Sequence, residues 1–198
     1  MACLILASAS TTRARMLAAA GVPFQAMAAT INEENTKKSL IAENCDAAAI
    51  AIRLAELKAL NVSGAYPQDF VLGCDQILSF GDMIVSKCEN LVEAELLLRR
   101  LRGQAHHLFT AGALAKEGRV LWRHVDAATL HMRDFTDAFL SRYLQLEGDT
   151  ILSNVGCYRL EGRGAQLFTH VDGDYSTILG LPLLPVLTTF RQYGIIER

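Results

Sequence analysis

The sequence has almost no excess of either charge. Its 19 Lys+Arg stand against 21 Asp+Glu over 198 residues, a formal net charge of −2. That balance argues against broad, charge-driven binding to a nucleic-acid polymer or an anionic membrane. Lysine is scarce, with 5 against 14 arginines, so the place of each lysine is informative. No long apolar run is present either. The longest uncharged stretch, residues 16–32, is broken by Gly21 and Pro23 and falls short of the roughly 20 apolar residues of a spanning helix. The early run Leu4-Ile5-Leu6-Ala7 has no basic residue before it and is followed closely by Arg13 and Arg15, unlike a secretory leader. A soluble, cytoplasmic protein with no membrane partner is expected. The five cysteines are odd in number, contain no C-x-x-C pair and have no histidine at zinc-finger distance, which argues against a disulfide framework or a structural zinc site. Reduced, mostly buried thiols are expected, and none has a neighbouring histidine to activate it. A G-x-x-x-x-G-K-[ST] phosphate loop is also absent.

What is present is apolar material: 51 % hydrophobic residues with only 20 % charged. A chain of this length and composition builds its own core and is not disordered. One domain, or two small lobes without a linker, is expected. Residues 3–7 read as a short buried strand, followed by a polar Ser/Thr stretch and an alanine-rich helix ending near Gly21. Residues 24–28 read as a strand. In residues 46–61, Ile50, Leu54, Leu57 and Leu60 form one apolar helical face. Strands are expected over residues 70–73, 77–80 and 83–85, the last two joined by a Gly81-Asp82 turn. Asn90 and Glu93 open a helix that runs to about Leu101 and stops at Gly103. From His107 the pattern turns to period two, through Ala115 and again over residues 120–132, a long antiparallel hairpin. A helix over 136–146, a strand over 166–171 and a closing helix over 183–193 complete the chain. The fold class is α/β with a mixed sheet, without a regular βαβ series.

Several places suit chemistry. Ser8, Ser10, Thr11, Thr12 and Arg13 join a strand to a helix, where hydroxyls, free backbone N–H groups and a guanidinium make either an anion site or a plain helix cap. Glu33-Glu34 is a carboxylate pair in a polar stretch, able to hold a hard cation or to stay a solvated loop. Asp75, ending a buried apolar strand at the lip of a sheet, could orient or deprotonate a water, or simply end the strand. Lys58 beside Leu57, and Lys87 past the 83–85 strand, are surface charges or point charges on a phosphate. His106-His107 is expected to pack rather than bind metal. Gly156, Gly162, Gly164 and Gly173 mark tight turns or close approach to a ligand.

Taken in order, these pieces resemble the Maf family of nucleoside triphosphate pyrophosphatases along almost the whole chain. Leu4-Ile5-Leu6-Ala7-Ser8-Ala9-Ser10 is similar to its opening L-I-L-A-S-x-S, and Arg13 falls on the second arginine of S-P-R-R. Ile31-Asn32-Glu33 stands where the family has V-D-E, and Leu54-Ala55-Glu56-Leu57-Lys58-Ala59 matches L-A-x-x-K-A. Gly73-Cys74-Asp75-Gln76 resembles G-[AS]-D-[TQ], Ser86-Lys87 the G-K after the hairpin, and residues 101–106 L-S-G-x-x-H. Gly156-Cys157-Tyr158, Glu161-Gly162-Arg163-Gly164-Ala165, residues 171–175 and Gly180-Leu181-Pro182 close the match. The resemblance implies a Maf/inosine-triphosphatase-like architecture with the site in a cleft between two lobes. It implies hydrolysis of a nucleoside triphosphate to the monophosphate and pyrophosphate with a divalent cation, Mg²⁺ or Mn²⁺. Asp75 matches the general base, and Glu33 with Asp75 the metal-assisting carboxylates. Ser8, Ser10, Arg13, Lys58 and Lys87 match the phosphate-handling set. A role in septum formation and in nucleotide house-cleaning is also associated with the family.

Base choice follows three positions. Thr12, Gln76 and Glu161 stand where relatives acting on dTTP and UTP carry the first arginine of S-P-R-R, the threonine of G-A-D-T and the glutamine of Q-G. Asp75-Gln76 and Glu161-Gly162 are similar instead to the branch acting on 7-methyl-GTP. A carboxylate suits that base, since it accepts from guanine N1–H and N2–H₂ and offsets the ring's positive charge. The chain departs from the family at Thr11-Thr12, at Ser86, at Cys88 and at Asn154; threonine at Thr12 leaves fewer charges for the phosphate tail, and the loss of Pro and Gly is expected to loosen two site loops. Other readings are a dTTP/UTP-type or inosine-triphosphate-cleaning enzyme, or a weakly active nucleotide-binding regulator of division. A homodimer is expected, because apolar excess needs burial and dimers are the commonest assembly.

Overall fold

The structure is a computed structural model and describes residues 3–197. Strand β1 (Leu4–Ala7) is buried along its whole length. Ser10 ends the turn that follows and caps α1 (Thr11–Ala19), its side chain accepting from the Arg13 N–H. Next come β2 (Gln25–Ala26), α2 (Glu33–Ala42) and α3 (Ala47–Ala65), with Asp46 capping α3 by accepting from the Ala49 N–H. The strand β3 (Phe70–Phe80) turns through Gly81-Asp82 into β4 (Met83–Val85). Asn90 caps α4 (Leu91–Leu101), its Oδ1 accepting from the Glu93 N–H and its Nδ2 donating to the Glu93 carboxylate, which also accepts from the Glu89 N–H, a capping-box-like exchange. Strands β5 (Ala105–Lys116) and β6 (Arg119–Met132) follow, joined by Glu117-Gly118, both at positive φ (52° and 69°). That pair is the backbone a two-residue hairpin turn requires. The chain closes with α5 (Asp137–Glu147), β7 (Phe168–Asp172), α6 (Tyr175–Ile178) and α7 (Leu183–Gln192).

Among the described residues, seven strands form one mixed sheet, in the order β2-β1-β3-β5-β6-β7 with β4 on β3. The pairs β1–β2 and β1–β3 are parallel; β3–β4 and β6–β7 are antiparallel. The fold is α/β with a mixed sheet, as the sequence predicts. Among the described residues no helix is long and apolar enough to cross a membrane.

The chain divides into two compact units made of five alternating segments. The first comprises Met1–Gln76, Phe109–Asp126 and Asp174–Arg198. Its core joins Leu4 and Leu6 of β1, Leu17 of α1, Leu72 and Cys74 of β3, Leu114 of β5, and Leu181, Val186 and Phe190 near the C-terminus. The second comprises Ile77–Leu108 and Ala127–Gly173. There α4 buries Leu97, Leu98 and Leu101, and α5 buries Leu140, Tyr143 and Leu144. Glu147, 4 % exposed, takes Arg159 at 2.9 Å and Arg163 at 3.2 Å.

Three local readings change. Residues 70–80 are one strand rather than two, so Asp75 lies in mid-strand and not at its end. Polar Asp75 and Gln76 hide the continuation, because their partners come from elsewhere in the chain. The polar stretch at Glu33 is helix α2, which buries no residue and so shows no apolar period. The cysteines are free, but only Cys74 and Cys157 are buried; Cys3 is exposed and Cys45 and Cys88 are half-buried.

His106 packs, as expected. It is fully buried, with Nε2 at 2.7 Å from the Tyr158 hydroxyl and its ring against Tyr158 and Phe168. Burial, then the nearby His107 and His131, push its pKa down from 6.5 to about 4. The unfolded chain therefore binds the extra proton between those values and the folded chain does not. Stability is full above pH ~6.5 and falls as pH drops towards 4, by at most ~3 kcal/mol. Urea melts at pH 7 and pH 4.5 test this. His106→Gln, which does not titrate, is expected to lessen the pH difference.

Candidate active site

The site starts from a glycine. A Cβ on Gly73 of β3 would stand 2.2 Å from the Ala55 carbonyl oxygen and 2.7 Å from the Ala59 amide nitrogen, so α3 touches the bare strand there. Lys58 lies between those two contacts on α3, and Asp75 is two residues beyond Gly73, on the same face of the strand. The Lys58 ammonium donates to Asp75 Oδ1 at 2.6 Å, and both residues are buried, at 7 % and 6 % exposure. The bond uses Oδ1 and leaves Oδ2. Glu33, in the first turn of α2, brings its half-exposed carboxylate to 2.8 Å from the same ammonium. Two carboxylates thus share one lysine. Glu34 takes no part: it pairs with Lys37 at 2.9 Å, which holds its pKa down. Burial raises the Asp75 pKa, and the positive charges of Lys58 and Arg13 partly oppose it.

The parallel pair Ala7–Gly73 places the end of β1 beside this point. Ser8 follows at once, buried, and its Oγ accepts from the Ser10 N–H at 3.2 Å and from Arg13 Nη1 at 3.2 Å. Arg13 Nε donates to the Gly180 carbonyl at 2.6 Å. Both acceptors of Arg13 are neutral, so neither cancels its charge. Ser10 Oγ caps the Arg13 N–H at 3.3 Å, and the hydroxyl hydrogens of Ser8 and Ser10 remain to be donated. Hydroxyls, a helix N-terminus and a held guanidinium converge, an arrangement suited to an anion.

Gln76 is half-buried, and its Nε2 donates to Thr110 Oγ1 at 2.8 Å and to the Thr177 and Ile178 carbonyls, each at 3.0 Å. Thr12 Oγ1 accepts from Arg15 at 3.4 Å. Ser8, Ser10, Thr12, Arg13, Glu33, Lys58, Asp75 and Gln76 therefore all belong to the first unit. Lys87 and Glu161 belong to the second and are exposed. The Cys74 thiol, pushed up to about 11 by burial, is no nucleophile at neutral pH. Cys88 and Cys157 are likewise raised by burial.

Among the described residues, no three His, Cys, Asp or Glu side chains cluster closely enough to hold a metal ion. Glu33 and Asp75 still supply two carboxylates, and a hard cation such as Mg²⁺ commonly takes one or two, completing its shell with water and substrate phosphates. The donor chemistry fits. Sequence reasoning missed Thr110, and it missed the carbonyls of Thr177, Ile178 and Gly180. A backbone carbonyl leaves no mark in a sequence, and Thr110 shows only as a polar residue in an apolar strand.

The chain matches the Maf-like protein family over residues 3–193. It is 47 % identical over 190 residues to a nucleoside triphosphate pyrophosphatase of Granulibacter bethesdensis, covering 96 % of each chain. It is 42 % identical over 194 residues to a 7-methyl-GTP pyrophosphatase of Rhizobium meliloti, and 43 % identical to one of Brucella abortus. Both matches cover 98 % of each chain.

Proposed function

The chain belongs to the Maf-like protein family, and from that premise we propose that it is an acid-anhydride hydrolase cleaving a nucleoside triphosphate to nucleoside monophosphate and pyrophosphate. The observation that carries the reading is the buried Lys58–Asp75 pair at 2.6 Å, with the Arg13 charge also acting on Asp75. Cleaving between the α and β phosphates needs a proton acceptor for water and positive charge along the polyphosphate. Asp75 is the acceptor: Lys58 holds Oδ1, and Oδ2 takes the proton of the attacking water. Burial makes this carboxylate a stronger base than an exposed one. Arg13, the Ser8 and Ser10 hydroxyls and the α1 N-terminus bind phosphate oxygens, and Lys58 and Lys87 add point charges. Glu33 and Asp75 would hold a divalent cation, which supplies charge neutralisation and orientation of the phosphates when bound.

The relatives named 7-methyl-GTP pyrophosphatase support a modified guanine nucleotide as the preferred substrate. Glu161 is the carboxylate suited to its N1–H and N2–H₂ edge, with Thr12 and Gln76 the other two positions of base choice. The five interleaved segments support reading residues 1–198 as one domain. A cytoplasmic homodimer is the setting we expect.

The test is pyrophosphate release across a panel of 7-methyl-GTP, GTP, dTTP, UTP and inosine triphosphate, with Mg²⁺ or Mn²⁺. Turnover is expected to be highest on 7-methyl-GTP and to be abolished by a chelator, returning on addition of Mg²⁺. No release from any triphosphate would refute the reading. Preference for dTTP and UTP would move the chain to the other branch.

A further inference from the structure

Arg13 can serve a polyphosphate only if its guanidinium is held in one pose, and the contacts that hold it run back to a residue outside the expected site. Successive residues of a strand face opposite sides, so Gln76 turns away from the Lys58 side that Asp75 faces. Its Nε2 meets three acceptors, Thr110 Oγ1 and the carbonyls of Thr177 and Ile178. Thr110 Oγ1 donates its own hydrogen to the Thr177 carbonyl at 2.8 Å, so it offers Gln76 lone pairs. That surrounding fixes which end of the amide points inward. Thr110 and Thr177 are both fully buried.

The pinned backbone leads directly to Arg13. The Gly180 N–H donates to the Thr177 carbonyl at 3.0 Å, and the Gly180 carbonyl accepts from Arg13 Nε at 2.6 Å. Gly180 has φ +97°, and a Cβ there would stand 3.3 Å from both Nε and Nη2 of Arg13. The guanidinium therefore rests on bare backbone. On the far side, Leu183 N–H donates to Ser176 Oγ at 3.2 Å, and Asp174 caps the Ser176 and Thr177 N–H groups. The segment 174–183 is tied at both ends.

We propose that Thr110 is a positioning residue for the triphosphate. Together with Gln76 it fixes the Thr177 and Ile178 carbonyls, and through them the Gly180 carbonyl that aims Arg13 at phosphate. The proposal rests on the pyrophosphatase reading for its substrate. It differs from that reading in what Gln76 does. The Gln76 amide N–H₂ is committed to the protein, so loosening it acts through the phosphate arm and on all bases alike.

Thr110→Val keeps the side-chain shape and removes the hydroxyl. Inorganic tripolyphosphate, which has no base, serves as the probe. Its Kd by calorimetry is expected to rise about tenfold, the scale of one lost buried hydrogen bond. KM for every nucleotide that turns over should rise by a similar factor while kcat changes less than about twofold, the signature of lost uniform binding. Thr110→Ser should restore the affinity. In an Arg13→Ala background, Thr110→Val should add less than about twofold, because the two act as one unit. An unchanged tripolyphosphate Kd, an effect confined to one base, or a full tenfold loss without Arg13 would each overturn the proposal. Should Thr110→Val fail to fold, Thr110→Ala, which also removes the hydroxyl, carries the same measurements. If no nucleotide is turned over, the pyrophosphatase reading fails, while the tripolyphosphate titrations still decide the positioning role.

Discussion

Asp75→Asn is expected to lower pyrophosphate release by roughly 10²- to 10⁴-fold, the range lost with a general base. The substitution keeps the shape, and asparagine Oδ1 can still accept from Lys58, so the 2.6 Å contact survives in kind. What is lost is the capacity to take a proton. Circular dichroism and a thermal melt should show a folded protein. Burial raises the Asp75 pKa above its ordinary 3.8, so its protonation should set an acidic limb of kcat/KM in the parent, and a cation held by Glu33 and Asp75 draws that limb to lower pH. The sign follows from the role: the base must be unprotonated, so the rate falls as pH drops through its pKa. The asparagine variant should lose that limb. A variant rate within about tenfold of the parent would assign the base elsewhere.

Gly73→Ala is expected to destabilise the protein by about 3 kcal/mol or more, at or beyond the upper end of ordinary overpacking. The added methyl meets the Ala55 carbonyl oxygen at 2.2 Å and the Ala59 nitrogen at 2.7 Å, both main-chain atoms that cannot rotate away. Helix α3 would have to lift from β3. Lys58 rides on the stretch of helix that moves, so activity should fall together with stability. Gly64→Ala is the control, since it lies on the same helix and a Cβ there meets nothing within 4 Å. It should be neutral or stabilising, by no more than the roughly 0.5–1 kcal/mol that alanine gains over glycine in a helix interior, since Gly64 lies in the last turn. Urea midpoints at unchanged slope measure both effects. A Gly73→Ala midpoint equal to the parent's would mean that α3 does not press on the strand.

Local signals carried far in this chain. The Asn90/Glu93 pattern marks the start of α4, and the period-two stretch after His107 marks β5 and β6, because capping and strand alternation are set by near neighbours. Helix α2 escaped, since a helix that buries nothing has no apolar stripe to find. The continuation of β3 through Asp75 and Gln76 escaped for the opposite reason. These polar residues are tolerated inside a strand by Lys58, 17 residues back, and by Thr110, 34 residues on.

The amino-acid order alone determined the α/β class, the short ordered motifs that mark the family, and which few cations were worth following. Two of five lysines, Lys58 and Lys87, stand at motif positions in the sequence itself. Tertiary structure alone decided what each does to its neighbours. It set Glu33 rather than Glu34 on Lys58, turned Gln76 away from Lys58 and towards Thr110, and rested Arg13 on the Gly180 backbone. Charge and motif are properties of residues and can be read along the chain. Hydrogen bonds to carbonyls, and the burial that raises the Asp75 pKa, exist only once distant segments pack together.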